Sequence, residues 1–567
     1  MKLSDLKYSS AASSVILFIW VLIVSVIPGV WLSLTERMTL VQSVTNAVLP
    51  LGIYILLMSL SRHIGCTSLW MIIVMFFAAF QLVLLYMYGR SVIAVDMFLN
   101  VVTTNPGEVG ELLGNLLPVM AMVVLFYLIP IFFSVVAVIR KWRLPEHFMA
   151  PARRTGFWVT GIGLVCFAVS FFQPLPYNPL KEIFPLNAMY NVAIAIDRTS
   201  RTLHYGETSA DFTYSAASER SDTIPEIYVA VIGETSRADN WQLLGYGRST
   251  NPLLSKKEGI VGFDKAISQS NTTHKSVPLL LSDLDADTFG DSIYVTKSLI
   301  SAFREAGFAT AYISNQNRNR SFIDFFGEEA DTTIFIRDFA PQSDRGGFDT
   351  DLLPYIDKAL DGARGKLLVV LHTYGSHFNY YDRYPRSLAR FTPDGPVEAT
   401  RGNRPSLLNA YDNSILVTDS LLAGVIDRLE ATGKTAAMIY TSDHGEDIFD
   451  DSRRLFLHAS PCPSYYQIHV PFLLWFSSRY RSAYPQTVAN AVENRGKFVA
   501  SSQAYFHTLM EIAGLRSPRV NALRSLVNPS YTPEPPRYLN DHNESVTWID
   551  AGLLPPDFQR LDSLLHQ

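Results

Sequence analysis

Ile227-Tyr-Val-Ala-Val-Ile-Gly-Glu-Thr-Ser-Arg237 decides the fold: a short, largely apolar run breaks into a turn that carries a carboxylate and two hydroxyls. A run this short and unbroken reads as a strand buried on both faces, the pattern of a parallel sheet. Ala309–Ile313, Leu367–Leu371 and Ala436–Tyr440 repeat it, and helical stretches separate them. That alternation predicts an α/β sandwich with a mainly parallel central sheet across residues 224–567. In such sheets ligands collect beyond the carboxyl ends of the strands. Those ends carry Glu234, Asn315, His372 with His377, and Asp443 with His444.

Glu234, Asp443 and His444 offer two carboxylates and an imidazole, a donor set suited to zinc or manganese. A hydroxyl completing that shell would become acidic, because the cation stabilises its alkoxide. Thr273, in Ser270-Asn-Thr-Thr-His-Lys-Ser-Val-Pro278, can fill the place, and a helix starting there would aim its amides at a bound anion. Spacing alone leaves Thr272 as an equal rival. Taken singly, each element has a simpler explanation: a Gly-Glu-Thr turn, a helix-capping threonine, a loop histidine. Their joint placement at the strand ends is what predicts a site.

Upstream of this domain the composition changes. The chain has 567 residues, enough for two or three domains, and its hydrophobic residues, 48% of the total, crowd into the first third. Five apolar runs, near Ala11–Ser33, Ser43–Leu60, Ser68–Tyr88, Leu116–Ile139 and Gly156–Phe172, approach the roughly 20 residues a bilayer requires. The first is too long for a removable leader. Lys2, Lys7, Arg62 and the group Arg140, Lys141, Arg143, Arg153 and Arg154 lie on one side, which makes that side and the N-terminus cytoplasmic. Everything after the fifth span is then exported. The expected organisation is a five-helix transmembrane domain over residues 1–173, an interfacial helix and linker over 174–223, and a soluble catalytic domain over 224–567. Within the linker, the Ser-, Thr- and Ala-rich stretch Thr208–Thr223 predicts a flexible join. A net charge of −5 without a basic patch argues against nucleic acid as a partner. Of the cysteines Cys66, Cys166 and Cys462, only the last falls in the soluble part, so no disulfide is expected there.

Gly233-Glu-Thr-Ser-Arg-Ala-Asp-Asn-Trp-Gln-Leu-Leu-Gly-Tyr-Gly-Arg-Ser-Thr-Asn-Pro252 resembles the signature of the bacterial phosphoethanolamine transferases, members of the alkaline phosphatase and sulfatase superfamily that include lipid A modifying and mobile colistin-resistance enzymes. Thr273-His-Lys-Ser-Val-Pro278, Leu371-His-Thr-Tyr-Gly-Ser-His377, Asp443-His-Gly-Glu446, Leu457-His458 and His469-Val-Pro471 extend the resemblance. It implies that Glu234, Thr273, Asp443 and His444 hold zinc, one ion tightly and a second transiently. Thr273 would be the residue that carries phosphoethanolamine, and the spacing to Val277-Pro278 is what favours it over Thr272. His377 and His458 would contact phosphate, a second zinc or the leaving group, with His372 a weaker member of that set. In the exported loop, Asn100, Thr104 and Glu108 resemble the family's Asn-x3-Thr-x3-Glu spacing for binding the ethanolamine lipid; an Asn-Pro turn capping a helix is the local alternative.

The resemblance implies a ping-pong transfer of phosphoethanolamine from phosphatidylethanolamine, through Thr273, to lipopolysaccharide on a lipid A phosphate or a core sugar, at a bacterial inner membrane. Reduced sensitivity to cationic peptides would follow if lipid A is the acceptor. Two departures stand out. The lipid A modifying relatives carry disulfides that this chain cannot form, and the loop Ser314–Arg320 lacks the serine expected near Asn317, a substrate-positioning place. The rival expectations are a membrane phosphoglycerol transferase and a non-catalytic relative acting as an envelope sensor.

Overall fold

The computed structural model describes residues 3–103, 106–221, 224–339, 347–362 and 365–566; for 3–9, 100–103, 106–116, 118 and 566 it describes the backbone alone. The chain forms two compact units, one of Met1–Leu99 with Leu113–Asp197 and one of Asn100–Leu112 with Arg198–Gln567.

The first unit is helical. Its chain runs through α1 (Leu3–Thr35), α2 (Leu40–Met58), α3 (Ile64–Trp70), α4 (Ile72–Tyr88), α5 (Val95–Thr103), α6 (Pro106–Ile139), α7 (Glu146–Ser170) and α8 (Leu186–Leu203), the last continuing into the second unit. Among the described residues, Ser10–Thr35, Leu40–Met58 and Val119–Ile139 are long and apolar enough to cross a membrane. The pair α3–α4, bent by 52°, makes a fourth if it is one broken span. The fifth expected run lies in α7, whose first turns carry Glu146, His147, Arg153 and Arg154, and it falls outside that set. Small residues let α2 and α7 approach closely. A Cβ on Gly52 would lie 2.5 Å from the Thr160 backbone nitrogen, and one on Gly163 would lie 2.7 Å from Leu49 Cα. Contacts of this kind drive helix association where no hydrophobic effect is available between helices.

The second unit holds a seven-stranded sheet made of β1 (Glu226–Gly233), β2 (Ile260–Phe263), β3 (Ala309–Ser314), β4 (Thr332–Phe335), β5 (Leu367–His372), β6 (Thr435–Ser442) and β7 (Phe472–Phe476). Their order is β2-β7-β6-β1-β5-β3-β4, with β6 to β4 parallel and β7 antiparallel to both its neighbours. The four strands expected from sequence are the contiguous centre, β6-β1-β5-β3. Strand β1 is buried from end to end. Tyr228, Ala230 and Ile232 enter one core with α9 (Thr273–Leu281) and α10 (Ser501–Ile512). Ile227, Val229 and Val231 enter the other, with the long helix Arg404–Ala431. Register does the positioning: Ile232 pairs with His372 and with Thr441, and His372 pairs with Ser314. The loops after β1, β3, β5 and β6 therefore leave the sheet at one level.

The described part of Thr208–Thr223 is not a free join. Ala217–Ser218 pairs with Leu515–Arg516, and Tyr214 is buried, its hydroxyl donating to Lys297 O at 2.6 Å. Two aromatics, Phe212 and Tyr214, supply apolar area that the surrounding Ser, Thr and Ala residues mask in composition.

Candidate metal centre

The turn after β1 is held in an unfavourable conformation. Thr235 has φ of 60°, a left-handed value that a β-branched residue adopts only under constraint. The Tyr411 hydroxyl donates to Thr235 O at 2.7 Å and accepts from Arg237 N at 2.9 Å. Asp443 Oδ1 accepts from Thr235 N and, at 2.7 Å, from His444 N. One carboxylate oxygen thus ties the β1 turn to the β6 turn. Behind Glu234, Gly375 has φ of +55°, and a Cβ there would collide with the Glu234 carbonyl oxygen and lie 2.9 Å from its nitrogen.

These constraints bring four donors together. His444 Nε2 lies 3.4 Å from Glu234 Oε1 and 3.3 Å from Asp443 Oδ2. Thr273 Oγ1, at the first residue of α9, lies 3.2 Å from His444 Nε2 and 3.3 Å from Glu234 Oε1. Tetrahedral zinc with bonds of about 2.0–2.1 Å places its N and O donors about 3.3–3.4 Å apart. The four separations match that edge length. Asp443 Oδ2 is buried and accepts no hydrogen bond, a costly state for a carboxylate oxygen that a cation would relieve. Burial pushes His444 down to about 4 against the opposing pull of Asp443, so the imidazole is neutral and its lone pair is available. Thr272 is the cap residue before α9, and its hydroxyl pairs with Ser270 Oγ at 3.2 Å. The donors present fit a metal ion.

His458 joins from the β6 side: its donor atom and those of Glu234 and His444 all lie within 4.8 Å of one another. Its Nδ1 faces Glu446 Oε1 at 3.2 Å, and Glu446 Oε2 accepts from the Tyr380 hydroxyl at 2.7 Å. A carboxylate behind an imidazole fixes the ring and its tautomer, as behind many metal-binding histidines. His377 has its ring centre 5.7 Å from that of His458, with Nδ1 bound to Phe378 O at 2.7 Å. His372 stands in the sheet core with Nδ1 at 3.1 Å from the Tyr312 hydroxyl, apart from the clustered donors. Asn317 is half-buried, and its neighbour Gln316 makes the approach instead, its Nε2 lying 3.4 Å from Glu234 Oε2 and 2.7 Å from Thr373 O. Thr104 and the side chains of Asn100 and Glu108 lie outside the described residues.

Sequence reasoning assigned no role to Glu446, Gln316, Asp239 or Asp412. The signal for Glu446 was present, an acid two residues beyond His444. Much of the long signature beyond the β1 turn is scaffolding: Asn240, Tyr246 and Arg248 all donate to the buried Asp412 carboxylate at 2.6–2.9 Å. His469 of His469-Val-Pro471 likewise pairs with Asp239 at 2.7 Å, and Ala238 N donates to His469 O.

The fold and the donor cluster together define an α/β domain whose strand-end loops gather carboxylate, imidazole and hydroxyl donors fit for a metal ion. The chain belongs to the sulfatase family, whose model matches residues 226–515, just over half of its length. Among curated proteins it is 28% identical over 351 residues to phosphoethanolamine transferase EptC of Escherichia coli O18:K1:H7, and that match covers 59% of each chain. It thus spans less than two thirds of that relative's length. The integral membrane lipooligosaccharide phosphoethanolamine transferase A of Neisseria meningitidis shares its fold over 93% of this chain and 98% of the other, with a TM-score of 0.67 at 19% identity. The C-terminal periplasmic domain of EptC from Escherichia coli, solved in complex with Zn, aligns over 60% of this chain and 97% of that domain, with a TM-score of 0.54 at 24% identity.

Proposed function

We propose that this protein transfers phosphoethanolamine from phosphatidylethanolamine to lipopolysaccharide, on a lipid A phosphate or a core sugar, through a covalent intermediate on Thr273. The observation that carries the proposal is that the threonine hydroxyl is itself one of the tetrahedrally spaced donors. The names of the relatives support the transferred group and the acceptor class.

Zinc held by Glu234, Asp443, His444 and Thr273 would supply a Lewis-acid charge that makes the threonine hydroxyl acidic. Thr273 Oγ attacks the phosphorus, and the bond to the diacylglycerol oxygen breaks. His377 and His458, both pushed down by burial and neutral at ordinary pH, carry the proton released by Thr273 to that oxygen. An acceptor hydroxyl or phosphate then attacks the phosphothreonine and frees Thr273. Asn100, Thr104 and Glu108 would bind the donor headgroup, Glu108 pairing with its ammonium, and Asn317 would line the substrate side, whereas His372, buried in the sheet core, is left without a substrate role. Holding a second, transient zinc ion is the alternative role for His377 and His458. The chain would cross a bacterial inner membrane five times within residues 1–173, pass through an interfacial segment over 174–223, and export its catalytic domain over 224–567.

Release of diacylglycerol from labelled phosphatidylethanolamine by the full chain in detergent tests this. Wild type should release it, Thr273→Ala should not, and Thr272→Ala should retain most activity. Release from phosphatidylglycerol alone would instead identify a phosphoglycerol transferase.

A further inference from the structure

Asp349 lies well away in sequence from every motif of the site, yet it holds the loop that supplies His377. Its carboxylate is buried and accepts from Tyr374 N, Gly375 N and Asn315 Nδ2, each at 2.8 Å. Two of these donors are consecutive backbone amides in the turn after β5, and the third sits at the end of β3. A carboxyl group whose two oxygens accept adjacent amides fixes the orientation of both peptide planes. The next residues act on the centre directly: Ser376 N donates to Glu234 O at 3.0 Å, and His377 N lies 3.3 Å from Tyr374 O. Arg383 closes the loop from the far side, its Nε donating to His377 O at 2.8 Å. The peptide carrying His377 is thus fixed at its entry by Asp349 and at its exit by Arg383.

We propose that Asp349 is a positioning residue for His377 in the transfer reaction, acting through the Tyr374 and Gly375 amides without touching substrate. The proposal rests on the transferase function proposed above. Asp349→Asn preserves the shape but turns one amide group toward a backbone N–H, so the clamp loses an acceptor where the turn requires two. Effects transmitted through His377 must disappear when His377 is absent, whereas a general loss of folding must not.

The test is a double-mutant cycle on the full chain in detergent, with Asp349→Asn, His377→Ala and the double variant. It reads both turnover with phosphatidylethanolamine and thermal unfolding. Asp349→Asn should lower turnover at least tenfold in wild type and by a several-fold smaller factor in the His377→Ala background, where only the Ser376–Glu234 bond still transmits the change, with equal shifts of the unfolding midpoint in the two backgrounds. Following product over days keeps slow variants measurable. Equal losses of turnover in both backgrounds, or no loss in either, would overturn the proposal. Protection of the Tyr374 and Gly375 amides from hydrogen exchange gives a second reading: it should fall in Asp349→Asn, and unchanged protection would also overturn it. Failure of the transferase function itself is distinguishable, because wild type would then show no turnover of phosphatidylethanolamine.

Discussion

Gly375→Ala tests whether the turn after β5 sets the place of Glu234. Alanine at φ of +55° is strained by about 1 kcal/mol relative to glycine. Its Cβ would also lie 2.9 Å from Glu234 N and 3.0 Å from Glu234 C, besides colliding with the carbonyl oxygen. Ordinary contact begins near 3.4 Å, so one backbone must move by about 1 Å to clear the carbonyl oxygen, and overpacking of that kind costs about 1–3 kcal/mol. The sum is about 2–4 kcal/mol, shared between lost stability and a displaced Glu234 carboxylate. If half of it falls on the metal centre, zinc binding weakens about tenfold, since 1.4 kcal/mol is a factor of ten. Chelator competition on the purified full chain measures that affinity directly. Gly433→Ala is the control: φ there is +61°, and nothing lies within 4 Å of the added Cβ. It should lower the unfolding midpoint slightly and leave zinc affinity unchanged. Zinc affinity within twofold of wild type in Gly375→Ala would refute the positioning role of the turn.

Asp412→Ala removes the acceptor of Asn240, Tyr246 and Arg248; it should destabilise the catalytic unit by about 2–4 kcal/mol in denaturant titration while zinc affinity of the folded fraction stays the same. Gly52→Val should disrupt the α2–α7 contact and lower the thermal midpoint of the detergent-solubilised chain, whereas Gly161→Val, with open space around its Cβ, should not. The buried histidines should cost the metal-free protein stability as pH falls from 6.5 toward 4. Burial holds His444, His458 and His507 at about 4 and His372 at about 3. The unfolded chain therefore binds more protons across that window, and the stability they contribute, complete above 6.5, is lost on acidification. Asp447, raised to about 7, Asp419, raised to about 6, and Glu446, raised well above the usual carboxylate range, all by burial, oppose this trend. His458→Gln should make the slope of unfolding midpoint against pH shallower.

The central strands were legible because each is a short apolar run buried on both faces. The missed strands are instructive. β4 is only Thr332–Phe335, with an exposed first residue, so no periodicity marks it. β7 is as apolar and buried a run as the central strands and was overlooked, and only its antiparallel pairing with β6 has no local signature. Glu234, Thr273, Asp443 and His444 were legible because the register of a parallel sheet brings strand ends to one level, a rule that depends on topology alone. Gln316, Asp349 and the Tyr380–Glu446–His458 chain were not, because their contacts join loops whose approach is set by backbone turns such as Thr235 and Gly375. The docking of Thr208–Ser221 was hidden for a different reason: two aromatics outweigh the surrounding Ser, Thr and Ala residues in buried area, while composition counts them equally.

The central claim is that the Thr273 hydroxyl becomes the carrier of phosphoethanolamine. Intact-protein mass spectrometry of the zinc-loaded full chain after incubation with phosphatidylethanolamine tests it most directly, with peptide mapping to locate any adduct. One phosphoethanolamine mass on Thr273, present in wild type and in Thr272→Ala and absent in Thr273→Ala, is the predicted result. An adduct on Thr272 or elsewhere, or turnover of the lipid by Thr273→Ala, would contradict it.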